Sequence, residues 1–251
     1  MGAKSPAFAP VPEELWLRIL LQHRIFSGLV DVDKALLRDL SARFLATKKF
    51  LPVGGASASQ ELMLAVATQA CLPLLGLDLR WYRDFTTIYL TPQAYTVTQT
   101  VEAKGGIIHE YEDEFAGEAF ALGPVALSIP DIHASGRGDG YNVVIHEMAH
   151  KLDGLDGAYD GCPPLHQGMD GCAWTKEFSL AFEDFRKNAA RAGRRKGRVS
   201  IDVYGAEGPD EFFAICCEYF WEMPRVLLKE YPGVYEQLAL FFRRDPAAWQ
   251  R

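Results

Sequence analysis

Two histidines and a glutamate in the run His146-Glu147-Met148-Ala149-His150 have the types and spacing of a metal-dependent hydrolytic centre. On a helix, residues four apart lie one turn above each other, so His146 and His150 point the same way. Two neutral imidazoles placed like this can share one tetrahedral zinc. Glu147 can then reach the metal's water position as general base. The alternative is a polar helix face with two hydrogen-bonded histidines. The back of the segment favours the metal, because Ile145, Met148, Ala149 and Leu152 fall at i, i+3, i+4 and i+7, a stripe that buries a helix against a core. Asn142 can cap the start of that helix and Gly154 can end it.

A catalytic zinc takes three protein ligands and keeps its fourth position for water. Asp156, six residues after His150, stands where a metzincin places its third ligand, but Asp153 occupies the position at which that frame needs glycine. Glu211 is the stronger candidate. It follows Pro209, which suits a first helical turn, and Phe213, Cys216, Cys217 and Phe220 form the core stripe of its helix. Glu211, Ile215 and Glu218 share another face, so a carboxylate is offered from the start of a buried helix, as in a gluzincin. Glu218 competes for the metal, or else hydrogen-bonds backbone or a ligand histidine. Asp153 lies on the ligand face, where it can orient a histidine, shape the following loop or cap the surface. Tyr204, seven residues before Glu211, is either an oxyanion donor or a core tyrosine.

Around these residues the chain must supply a core, and 251 residues at 49% hydrophobic and 24% charged are enough for one. The formal charge of -7 argues against a nucleic-acid binder, which needs a basic surface. The five cysteines lack paired metal spacing and read as reduced packing residues, with a Cys162–Cys172 disulfide as the oxidised alternative. The first residues lack the apolar stretch of a signal peptide, and Leu62 to Leu79 is interrupted by Gln69, Pro73 and Asp78. A soluble cytoplasmic protein without a membrane span is expected.

Residues 1–12 are expected to be a flexible leader and 13–251 a single domain. Within it, 13–80 forms a helical N-terminal region and 81–251 the catalytic region. Helices are expected over Glu13–His23, Asp31–Thr47 and Gln60–Leu75, the last central because it is apolar nearly all round. Lys48 to Gly55 reads as a loop, and Thr86–Leu90 and Tyr95–Val101 as strands. The acidic Glu110–Glu118 reads as a solvated loop. Pro124–Pro130 reads as a short edge strand on which an extended substrate can pair. Further helices are expected over Trp174–Ala192, Glu211–Glu222 and in one or two pieces from Pro224 to Trp249. Arg191–Arg198 is a basic run, read as a solvated turn ahead of a partner or nucleic-acid patch.

With these residues in view, the chain resembles the Mlc titration factor A family of zinc peptidases over most of its length. The matching stretches are Gln69-Ala70-Cys71-Leu72 with Leu74-Leu75-Gly76-Leu77, Gly123 to Ser128, Asn142 to Asp153, and Glu211-Phe212-Phe213-Ala214 with Glu218-Tyr219-Phe220. One departure is Ile129-Pro130 at the expected substrate edge. The Tyr204–Glu211 spacing and the Glu-Phe-Phe-Ala segment also look like the catalytic domain of anthrax lethal factor. The resemblance implies an α+β fold with a zincin-like core, and one Zn2+ per chain on His146, His150 and Glu211. It also implies Glu147 as base and Tyr204 as transition-state stabiliser. The expected function is a zinc metallopeptidase acting on a peptide or protein substrate, with aminopeptidase and internal cleavage both open. The rival is an interaction protein that sequesters a transcriptional repressor of the Mlc type.

Overall fold

The structure, a computed structural model, describes residues 11–93, 95–103, 107–115, 117–119, 123–192 and 201–249. The chain opens with α1 (Glu13–Gln22) and α2 (Asp31–Thr47), then α3 (Gln60–Cys71). Ser59 starts α3 by accepting from the Leu62 N–H at 3.1 Å. Every residue from Leu64 to Cys71 is buried, as expected of a helix apolar all round. Val11, at the end of the expected leader, is buried in the core. The preceding ten residues lie outside the described ones.

Between α2 and α3 the segment read as a loop makes a strand, β1 (Lys49–Pro52). Four residues with a terminal proline and no apolar alternation give little sign of a strand. The segment works because it is an edge, where Pro52 need not donate inward. β2 (Thr87–Thr91) pairs parallel with β1 on one side and with β6 (Val125–Ser128) on the other. β5 (Gly117–Ala119) pairs antiparallel with β6, giving the order β1-β2-β6-β5.

The Pro124–Pro130 strand is interior, not an edge. All four residues of β6 are buried, as in parallel strands covered on both faces, and β5 takes the edge. The prolines delimit it without exposing it, for Pro130 falls in the first turn of α4 (Ile129–Ala134), with Ser128 as its cap. The acidic Glu110–Glu118 is also not a loop. Its first part belongs to β4 (Ile107–Phe115), which pairs antiparallel with β3 (Tyr95–Ala103), and its end belongs to β5. Tyr111 and Phe115 alternate with Glu110, Glu112 and Glu114 in the sequence, a period of two that the charge count obscures.

The second half is helical: α5 (Val143–Asp153), α6 (Gly171–Ala192), α7 (Pro209–Glu222), α8 (Pro224–Glu230), α9 (Pro232–Phe242) and α10 (Pro246–Trp249). The last four each begin at a proline, whose missing N–H is harmless there. The basic run falls largely outside the described residues, with exposed Arg191 at the end of α6. One continuous hydrophobic cluster joins α1, α2 and α3 to the sheet and to α5, α6, α7 and α9. Cys71, Cys216 and Cys217 are buried within it, and all five cysteines are free thiols. Among the described residues no helix is long and apolar enough to cross a membrane.

Candidate metal centre

α5 is held at its start by Asn142, whose Oδ1 accepts from Ile145 N–H at 3.0 Å. Its apolar side is buried as the spacing predicts, with Ile145, Met148, Ala149 and Leu152 each 2% exposed or less. The opposite side faces the first turn of α7, whose interior Phe212, Phe213, Cys216 and Phe220 are sealed in the core. Between them lies Gly161, which has φ +78, and a Cβ there would stand 2.6 Å from the Pro209 carbonyl oxygen. The loop after α5 therefore lies directly against the start of α7 because residue 161 has no side chain. Asp153 fastens that loop, its Oδ2 accepting from Gly161 N–H at 3.0 Å. Of the roles open to it, Asp153 takes the shaping of the loop, and burial pushes its carboxyl up to about 7.

The result is a cluster of His146, His150 and Glu211. His146 Nε2 lies 3.1 Å from Glu211 Oε2, and His150 Nε2 lies 3.5 Å from Glu211 Oε1. The two Nε2 atoms are 3.2 Å apart. A tetrahedral ion with bonds of ~2.0–2.1 Å separates its ligand atoms by ~3.3–3.4 Å, so these spacings suit zinc. The hydrogen bonding leads to the same point. His146 Nδ1 lies 2.8 Å from Glu218 Oε1. It donates to that carboxylate, which leaves the Nε2 lone pair turned toward Glu211 and His150. Three acceptor atoms converging so closely repel unless a proton or a cation lies among them.

The electrostatics of the cluster agree. Burial disfavours a charged His146, but hydrogen bonds to Glu211 and Glu218 outweigh it and raise the imidazole well above its ordinary value. Burial likewise opposes ionised Glu211, yet the two histidines hold it down at about 2. Both groups stabilise positive charge at the place where they meet. The residues therefore fit a divalent cation.

Glu147 is 3% exposed, and its Oε2 has no hydrogen-bond partner among the described residues. Burial pushes its carboxyl up to about 7 against the pull of the two imidazoles, a range suited to taking and returning a proton near neutrality. Tyr204 sits in a 3-10 turn, Val203–Ala206, whose start Asp202 caps through the Tyr204 N–H at 3.0 Å. Its ring centroid is 6.1 Å from that of His146, and it is 37% exposed, at the mouth of the site and not in the core. Burial, with Glu211 next, raises its phenol, so it stays a donor. Asp156 stands apart, exposed and turned to Ala158 N–H at 3.0 Å. Glu218 is not in the cluster. It is 2% exposed and accepts from the Asn142 N–H as well as from His146.

In the sequence Asn142 reads only as a cap and Glu222 only as a helix end. Asn142 Nδ2 donates to Gln69 Oε1 and to Glu222 Oε1, both at 2.8 Å. Glu222 also accepts from the Gly136 and Gly138 N–H groups. The helical spacing of Glu218 and Glu222 was the available signal, two acids on one face of a helix otherwise made of core residues.

Comparison with known proteins relates most of the chain to one family of peptidases. The profile of the glucose-regulated metallo-peptidase M90 family matches residues 4–243. Mlc titration factor A of Cronobacter sakazakii is 31% identical over 242 residues, covering 96% of this chain and 89% of that protein. The protein of that name in Escherichia coli strain 55989 is 28% identical over 88% of this chain and 83% of its own length. The Klebsiella pneumoniae one is 29% identical over 90% of this chain and 85% of its own.

Proposed function

This chain belongs to the glucose-regulated metallo-peptidase M90 family, and we propose that it is a cytoplasmic zinc peptidase of gluzincin type. We read 13–251 as one domain whose α+β core is zincin-like. The observation that carries this reading is the meeting of His146, His150 and Glu211 at ligand spacing beside the buried Oε2 of Glu147, which has no hydrogen-bond partner among the described residues. A purely structural metal site has no use for that carboxylate.

Zinc held by His146, His150 and Glu211 would supply Lewis acidity toward a water and the scissile carbonyl. Glu147 takes the proton of the attacking water at its free oxygen and returns it to the departing amine. Tyr204 donates its O–H to the oxygen on which negative charge develops. Glu218 keeps His146 in the tautomer that offers Nε2. An extended peptide is proposed to align along β5, the outer strand of the sheet.

Metal content decides between the two ligand frames. Purified protein should carry close to one zinc per chain, and chelation should remove zinc and peptide hydrolysis together. Glu211→Ala should empty the site, while Asp156→Ala leaves occupancy unchanged; the reverse pattern, or hydrolysis by fully metal-free protein, overturns the proposal.

A second reading has one observation behind it: the curated relatives are named for titrating Mlc. The chain would then also bind a repressor of that type. Glu147→Gln separates the two, because binding to such a repressor should persist in a variant that no longer cuts peptides.

A further inference from the structure

A cavity of about 540 Å³ lies at the opposite end of α7 from Glu211, where Glu222 meets the loop before α5. Its size is within the range of small-molecule sites. Arg24, Arg225, Trp249, Ser27, Val226 and Glu222 are among its lining residues. In a chain of formal charge -7 its wall carries two guanidinium groups. Neither has a hydrogen bond or ion pair among the described residues.

The acid in the wall makes no ion pair with them. Glu222 is 1% exposed, and its oxygens are taken by the Gly136 and Gly138 N–H groups and by Asn142 Nδ2. A smaller cavity of about 290 Å³ makes the contrast plain. It also has two arginines, but Arg80 is paired with Asp78 at 2.6 Å and Arg83 with Asp84 at 3.3 Å. In the larger cavity the cations have no such partner among the described residues.

The surroundings also place these side chains. Gly138 has φ +76, and a Cβ there would stand 3.0 Å from Arg24 Cδ, so the stem of Arg24 lies along bare backbone. A Cβ on Gly28 would stand 2.8 Å from Trp249 Cβ, and the Trp249 ring is 6.1 Å from that of Trp221. The indole is thereby held at the cavity wall, half-buried. Guanidinium groups recognise oxyanions through paired N–H donors, and an indole face accepts a flat or apolar body.

We propose that this cavity is a second binding site, for a small anionic ligand. An oxyanion group, phosphate or carboxylate, is held by Arg24 and Arg225, and a planar body lies against Trp249. The site is independent of the metal centre and of the proposed peptidase reaction.

Calorimetric titration of the full chain with phenyl phosphate, inorganic phosphate and benzoate tests it. Phenyl phosphate should bind saturably at one site, and Arg24→Ala and Arg225→Ala should each weaken it by ~10-fold or more, the scale of a charge-assisted hydrogen bond. Trp249→Leu should weaken phenyl phosphate while leaving inorganic phosphate unchanged. Tighter binding of phenyl phosphate than of benzoate identifies the natural group as phosphate, and the opposite order as carboxylate. Both arginines are exposed, so unchanged melting temperatures in their variants confirm that any loss is local. The proposal is overturned if none of the three probes binds saturably. Affinity that survives in both arginine variants overturns it too, since the anion then sits elsewhere, including on the metal.

Discussion

Glu218 sits beside the proposed zinc without being one of its ligands, and replacing it tests the whole arrangement. Its Oε1 receives the Nδ1–H of His146 at 2.8 Å and its Oε2 receives the backbone N–H of Asn142, all at 2% exposure. Glutamine keeps the shape but offers one acceptor and one donor. If the oxygen stays with His146, the new NH2 group faces the Asn142 N–H. If it turns, the ring of His146 loses its acceptor and the tautomer that offers Nε2. Metal affinity in Glu218→Gln should therefore fall ~10–100-fold, the usual effect of losing a partner to a ligand histidine, or ~1.4–2.7 kcal/mol. In chelator-treated protein the orphaned buried donor should cost about 1–3 kcal/mol of unfolding free energy. Glu218→Ala should cost more, because it adds a cavity and leaves both donors unpaired. Competition with a chromophoric chelator measures the first quantity and urea unfolding the second. Wild-type zinc affinity in Glu218→Ala, which removes the acceptor outright, would refute the orienting role. Loss of zinc in Glu218→Ala with retention in Glu211→Ala would exchange the roles of the two carboxylates.

Glu147→Gln preserves volume and removes the base; zinc should stay bound while turnover drops ~10²–10⁴, and undiminished cleavage would disqualify Glu147. Tyr204→Phe should keep zinc and lose ~10²–10³ in kcat with little change in KM, the scale of one oxyanion donor; a change confined to KM would make Tyr204 a substrate contact only. Asn142→Ala removes the cap of α5 and strips Gln69 Oε1 of its donor, so unfolding free energy should fall by about 2–4 kcal/mol. A fall of under ~1 kcal/mol in a denaturant series would show that the network contributes little.

Much of the centre was legible in the chain itself. Helical periodicity brings His146 over His150 and sets Ile145, Met148, Ala149 and Leu152 on the opposite side, because 3.6 residues per turn leaves no other arrangement. The same rule placed α2 at Asp31–Thr47 and put Glu211 at the head of a helix with a sealed aromatic interior. These are properties of one element at a time. What lay beyond the sequence depended on two elements meeting. β1 and the acidic half of β4 are strands because a neighbour completes their backbone hydrogen bonds, and neither composition nor charge reports on a neighbour. β6 looked like an edge because prolines bound it, yet β5 covers its outer side. The sequence favours Glu211 over Glu218 as the ligand but cannot separate their contacts, since both lie on the same face of α7 and both are carboxylates. The docking of α5 on α7 separates them. That docking sets Glu211 against the two Nε2 atoms and Glu218 against Nδ1. A side chain's identity and spacing fix what it can donate or accept, but which atom of a partner it meets depends on how two helices pack, and that is a property of the whole core.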